Sequence, residues 1–131
     1  MNLNTQGQTL TNTDGQILAS GGDLSLQSGE LDNQRGRIAA LQNVTLTSNG
    51  IRNDEGRITA DSLQIQSRDG AGNWSAVSNQ GGTILAEQRL QLDSAALNNT
   101  AGAIQTTAST STLAIDSHGG DITNQQSGNA G

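Results

Sequence analysis

What most constrains this chain is a unit that returns about every twenty residues. Asn12, Asn33, Asn53, Asn79, Asn99 and Asn124 lie 21, 20, 26, 20 and 25 positions apart. Around the first five the same frame recurs: an aliphatic residue two before the Asn, a glycine three after it, an isoleucine two after the glycine, and Ala or Thr two after that. Leu31-Asp-Asn33-Gln-Arg-Gly36-Arg-Ile38-Ala-Ala40 is one copy and Ile51-Arg-Asn53-Asp-Glu-Gly56-Arg-Ile58-Thr-Ala60 the next. Each copy then carries a second apolar pair: Leu24/Leu26, Val44/Leu46, Leu63/Ile65, Leu90/Leu92 and Leu113/Ile115. A sixth, degraded copy starts at Ile122.

This period is too short for helical-hairpin repeats and suits leucine-rich repeats or β-solenoids. Within each unit the apolar residues stand two apart, the spacing at which strand side chains return to the same face. The spacers hold no apolar stripe of helical period, as a leucine-rich repeat would require. The pattern therefore predicts an all-β chain folded as a parallel β-helix (β-solenoid) of about six rungs. Three short strands per rung are expected, near 10–12, 16–19 and 23–27 in the first. Repeats start near 10, 31, 51, 77, 97 and 122, and right-handed coiling follows from the rule for parallel crossovers.

Composition supports stacking over a globular core. Leu, Ile and Val fill only 25 of 131 positions and Phe is absent, whereas Ser, Thr, Asn and Gln fill 54. Such a chain reads as disordered by composition. Five apolar side chains cannot offset the ordering of a twenty-residue rung by themselves, so neighbouring rungs must stabilise one another. With no cysteine, disulfides and thiolate metal sites are excluded. No lysine, six scattered arginines, a net charge of −6 and a single aromatic residue argue against nucleic acid. No apolar run is long enough to insert in a membrane. Residues 1–131 read as a single β-helix segment. The polar start, with Leu3 its one aliphatic, and the trailing Ser127-Gly-Asn-Ala-Gly131 suggest a piece of a longer rod.

Stacked rungs give the repeated residues structural roles. Asn12, Asn33, Asn53, Asn79, Asn99 and Asn124 are expected at one inward corner, each amide bonding the turn backbone and the next Asn; a set of independent Asx-turns is the alternative. Gly15, Gly36, Gly56, Gly82 and Gly102 are expected to close the corner in a left-handed conformation. Asp14, Arg35 and Glu55 in one column, and Asp32 and Arg52 in another, place opposite charges in adjacent rungs, as on a solvated face. Arg37 and Arg57 place like charges there.

The repeat breaks at 66–76, which carries about seven extra residues and the only aromatic, Trp74. Trp74 is expected to fold back onto the rod or to contact a partner. A smaller excess between Ile115 and Ile122 falls at the equivalent corner and holds the lone His118, expected as an exposed turn residue. One imidazole with no cysteine and no second histidine is a poor transition-metal site. The half-nonapeptides at Gly21-Gly-Asp23 and Gly119-Gly-Asp121 do not recur in tandem, so calcium is not indicated. No catalytic, cofactor-binding or metal-ligating residue is expected.

On Leu31-Asp-Asn-Gln-Arg-Gly-Arg-Ile38 followed by Val44-Thr-Leu46, and on the copies beginning at Leu10, Ile51, Val77 and Leu97, the chain resembles the repeats of filamentous haemagglutinins and related two-partner-secretion exoproteins, including those of contact-dependent growth inhibition. The resemblance covers roughly 10–127. It implies a right-handed parallel β-helix within a long shaft on the cell surface of, or secreted by, a Gram-negative bacterium after outer-membrane export. Its implied partners are the flanking repeats of the parent protein. The loop at 66–76 and the loosened last repeat depart from the pattern.

Three functions compete at this point. A structural shaft segment leads; second is an adhesive module meeting a glycan or receptor through 66–76. A carbohydrate-active β-helix enzyme comes last, because the acids are spread among rungs and a fold does not confer chemistry.

Overall fold

The computed structural model of the chain describes residues 1–125. Its fifteen strands follow one coil, and every strand-to-strand pairing is parallel. Strand β1 (Asn2–Asn4) precedes the first full rung, formed by β2 (Leu10–Thr11), β3 (Gln16–Ala19) and β4 (Leu24–Ser28). The second rung holds β5 (Leu31–Asp32), β6 (Arg37–Ala40) and β7 (Asn43–Ser48). The third has β8 (Ile51–Arg52) and β9 (Arg57–Ser67), and the fourth has β10 (Val77–Ser78) and β11 (Thr83–Asp93). The fifth comprises β12 (Leu97–Asn98), β13 (Ala103–Thr106) and β14 (Thr112–Asp116), before β15 (Ile122–Thr123) opens the sixth.

The six short strands beginning at residues 10, 31, 51, 77, 97 and 122 pair side by side into one sheet; the rest form a second, nine-stranded sheet. The chain is thus an all-β parallel β-solenoid of about six turns. Like lies over like. Leu10, Leu31, Ile51, Val77, Leu97 and Ile122 are register partners in succession, as are Ile17, Ile38, Ile58, Ile84 and Ile104. A third column runs Leu24, Val44, Leu63, Leu90 and Leu113, and a fourth Leu26, Leu46, Ile65, Leu92 and Ile115. In the middle rungs these side chains are sealed, with Ile38, Leu46, Ile58, Ile65, Ile84, Leu90 and Leu92 at 0% exposure. In the last layer Leu113 and Ile122 are exposed.

Three details depart from the expectations. The three-strand rung holds in the first, second and fifth turns, but β9 and β11 each run eleven residues through the junction between the second and third strands. Only Asp61 separates Ala60 from Ser62 there, too few residues to turn away from the sheet. In β11 the extra residue at 87–88 is absorbed as a bulge between Ala86 and Arg89. Pairing also starts earlier than the first repeat, because β1 lies parallel to β4 and sets Leu3 against Leu26. At the break, Gln66 and Ser67 belong to β9, so the segment leaving the rod is 68–76. The tail at 127–131 lies outside the described residues.

Candidate functional site: two corners of the coil

The first corner is built by the asparagines. The chain turns after each two-residue strand, and in the first five rungs the glycine N–H donates back to the Asn carbonyl three residues earlier, at 3.0–3.1 Å. The Asn side chain points inward and is buried from rung one to rung five. Its Nδ2 donates to the Oδ1 of the next Asn: 2.7 Å from Asn12 to Asn33, Asn33 to Asn53, Asn53 to Asn79 and Asn79 to Asn99. The last link, Asn99 to Asn124, is 2.8 Å. The structure therefore joins all six in one continuous chain of amides instead of six separate Asx-turns.

The direction of this chain is set by the backbone. Each Nδ2 of the first four also reaches a carbonyl of the following rung, at Arg37, Arg57, Thr83 and Ala103, at 3.2–3.3 Å. A carbonyl oxygen can only accept, so the NH₂ of every amide faces the same way along the rod. Aligned amide dipoles in a low-dielectric interior polarise one another, which strengthens each link. Among the described residues no buried side-chain nitrogen or oxygen lacks a partner.

The glycines at this corner act for a different reason than expected. Gly15, Gly36, Gly56, Gly82 and Gly102 are not left-handed; the residue before each one is: Asp14, Arg35, Glu55, Gly81 and Ala101, with φ of 54–64°. What excludes a side chain is space. A Cβ on Gly56 would overlap the Asn33 carbonyl oxygen and stand 2.6 Å from Asn53 Oδ1, and Gly36, Gly82 and Gly102 are hemmed in alike. Glycine lets the preceding rung's Asn carbonyl and side-chain amide approach the backbone. Both causes leave the same mark in a sequence.

The left-handed positions carry the charge column. Arg35 Nε and Nη2 fork onto the Asp14 carboxylate at 2.9 and 3.3 Å. That hydrogen bond lowers the Asp14 pKa and raises that of Arg35. Asp32 and Arg52 are cross-strand neighbours, but the Asp32 carboxylate turns back onto Gln34 N and Nε2. Arg37 and Arg57 do lie side by side.

The second corner ends the long strands. A buried serine stands two residues after the second apolar position in the first four rungs: Ser28, Ser48, Ser67 and Ser94. Ser28 and Ser48 share a hydroxyl hydrogen bond of 2.7 Å, and Ser67 Oγ donates to Ala76 O at 3.1 Å. The sequence carried this signal, apolar-x-apolar-x-Ser, but it was missed among so many polar residues.

From this corner 68–76 departs as a tight hairpin, with an antiparallel bridge between Arg68 and Trp74. Asp69 closes it. Its Oδ1 accepts the Ala71 and Asn73 N–H groups at 2.9 Å and its Oδ2 accepts Asn73 Nδ2 at 3.1 Å. The Asn73 donors hold the Asp69 carboxyl below its ordinary value of 3.8.

Trp74 does fold back on the rod, and its ring meets an aromatic ring there. It stacks on His118 with centroids 3.9 Å apart and planes 12° from parallel. His118 occupies a left-handed turn position, φ 50°, ahead of Gly119. It is an exposed turn residue, as expected, although its side chain is only 27% exposed. Beside the ring stand Asp93 and Asp116, which sequence reasoning did not bring together with it.

Residues 2–68 and 62–126 each match the family described as haemagglutinin repeat. No curated protein and no solved structure matches the chain. Two successive matches spanning nearly every rung, together with the columns of like residues, place the chain in the haemagglutinin repeat family.

Proposed function

We propose that this segment is a rigid, non-catalytic spacer: part of the shaft of a secreted or cell-surface haemagglutinin-like exoprotein of a Gram-negative bacterium. The observation that supports it is the uninterrupted amide chain from Asn12 to Asn124, which ties every rung to the next. With rungs about 4.8 Å apart, six give a rod of roughly 29 Å. Flanking repeats of the parent protein are the partners of this reading. They would continue the columns and cover the exposed Leu113 and Ile122. Its work is to hold an adhesive or toxic module at a distance.

Inserting a second copy of 31–50 tests the reading by small-angle scattering. The longest dimension should grow by about 4.8 Å with the cross-section unchanged; a particle that thickens instead contradicts a spacer. The adhesive reading of 66–76 draws on the one long departure from the rod, but its aromatic is already stacked on His118. Binding to a glycan array that vanishes in Trp74→Ala would restore it.

A further inference from the structure

Asp93 and Asp116 are the last residues of β11 and β14 and lie directly opposite each other. The same outward column below them reads Asn4, Gln27, Thr47 and Gln66, all neutral. Like charges directly opposite in a sheet repel, and Asp93 is only 9% exposed. The column turns doubly acidic only where His118 arrives. His118 Nε2 stands 3.7 Å from Asp93 Oδ1 and 3.5 Å from Asp116 Oδ2, and one ligand atom from each of the three residues lies within 4.8 Å of the others. The two distances from Nε2 are long for hydrogen bonds. They stand a few tenths of an ångström above the roughly 3.3–3.4 Å between ligands of a tetrahedral ion with bonds of about 2.0–2.1 Å.

Each donor is also held from behind. His118 Nδ1 lies 3.1 Å from the Ser94 carbonyl. That oxygen can only accept, so Nδ1 carries the hydrogen and, in the neutral ring, the Nε2 lone pair faces the carboxylates. The other oxygen of Asp93 accepts from Gln91 Nε2 at 3.2 Å. The other oxygen of Asp116 accepts the His118 N–H at 2.8 Å. Asp93 Oδ1, on a side chain 12% exposed, is left facing His118 Nε2. Outer partners that fix the ring tautomer and aim one oxygen of each carboxylate inward are the supporting shell of a metal site.

We propose that Asp93 Oδ1, Asp116 Oδ2 and His118 Nε2 bind one divalent transition-metal ion of the zinc class, water completing the coordination. One nitrogen and two carboxylate oxygens suit such an ion better than the all-oxygen shells of calcium or magnesium. The ion neutralises the paired carboxylates and clips the fourth rung to the fifth. Through the ring stacked on Trp74 it also fixes the hairpin that springs from the third.

The stacked Trp74, alone of its kind in the chain, reports on the site. Chelator-treated protein is titrated with zinc chloride while tryptophan emission and the thermal midpoint are followed, with calcium and magnesium chloride as comparators. The expected result is a saturable emission change at one equivalent of zinc. At a hundredfold excess over the dissociation constant, the folded-to-unfolded ratio should rise about a hundredfold. Asp93→Asn and His118→Gln should lose both responses while keeping a β-type dichroism spectrum. Trp74→Phe should keep the rise in midpoint, which separates metal binding from its reporter. No saturable response at millimolar zinc, equal responses to calcium, or a response that survives His118→Gln would overturn the proposal. So would His118 and Asp93 acting only as an ion pair, seen as a midpoint that depends on pH but not on zinc.

Discussion

The two corners of this coil solve the same problem in opposite ways. At the asparagine corner every rung from the first to the fifth has the same four-residue turn and the same inward amide, and no residue is added. At the serine corner the link between rungs varies, and one copy grows into the hairpin at 68–76. The difference follows from what each corner shares with its neighbours. An amide has donors and an acceptor to spend on the rungs either side, so the asparagine corner cannot move without breaking two links. The serine hydroxyls bond differently from rung to rung: Ser28 and Ser48 bond each other, Ser67 Oγ donates to Ala76 O, and Ser94 Oγ donates to Ala95 O at 2.9 Å. Loops are tolerated where no one link repeats along the rod.

The contrast can be broken most severely at the centre of the amide column. Asn53→Leu strands the Asn33 donor and the Asn79 acceptor inside the rod. At about 1–3 kcal/mol for each unpaired group, chemical denaturation should show a loss of ~2–6 kcal/mol. The same change at Asn12, which makes only one ladder link, should cost clearly less; equal losses would mean the links do not act as a chain. Gly56→Ala should cost ~1–3 kcal/mol by overpacking. Gly70→Ala in the hairpin, where a Cβ meets nothing within 4 Å, should stay within about 0.5 kcal/mol.

Smaller effects sharpen the comparison from the other corner. Trp74→Ala should cost ~0.5–1.5 kcal/mol. It should release amide protection at 68–76 and 117–120 and leave the asparagine turns as protected as before; hydrogen exchange read residue by residue decides this. Ala101→Gly relieves a left-handed alanine, φ 57°, and should raise stability by ~0.5–1 kcal/mol, as Gly81 already does in the rung before. Asp69 gives the pH dependence. Its folded pKa is depressed, so its contribution is fully present above 3.8 and is lost as pH falls through the lower folded value. Titration by nuclear magnetic resonance should find its midpoint below 3.8, and Asp69→Asn should remove that part of the acid sensitivity of the hairpin.

Much of this was legible in the order of residues, because a solenoid repeats its contacts with its letters. Two-apart apolar residues located the strands, and the returning asparagines located the corner. The strand fusion in β9 and β11 was not visible: two residues separate Ala86 from Arg89 and two separate Ala40 from Asn43, yet only the first gap is bridged by a continuous strand. Glycine was placed correctly and explained wrongly: left-handed geometry and lack of room both select it, and only coordinates tell them apart. The grouping of Trp74, Asp93, Asp116 and His118 lay beyond the pattern. Two of the four belong to the extra segments, whose paths are not dictated by the period, and Trp74 reaches the fifth rung from the third.

The asparagine chain can be tested directly through its side-chain NH₂ protons. If the amides bond from rung to rung in a buried column, the Nδ2 protons of Asn33, Asn53 and Asn79 should exchange with water far more slowly than those of the exposed Asn43 and Asn73. Each should also show a through-space contact to the asparagine of the next rung. Exchange as fast as at Asn43, with no such contacts, would contradict the account.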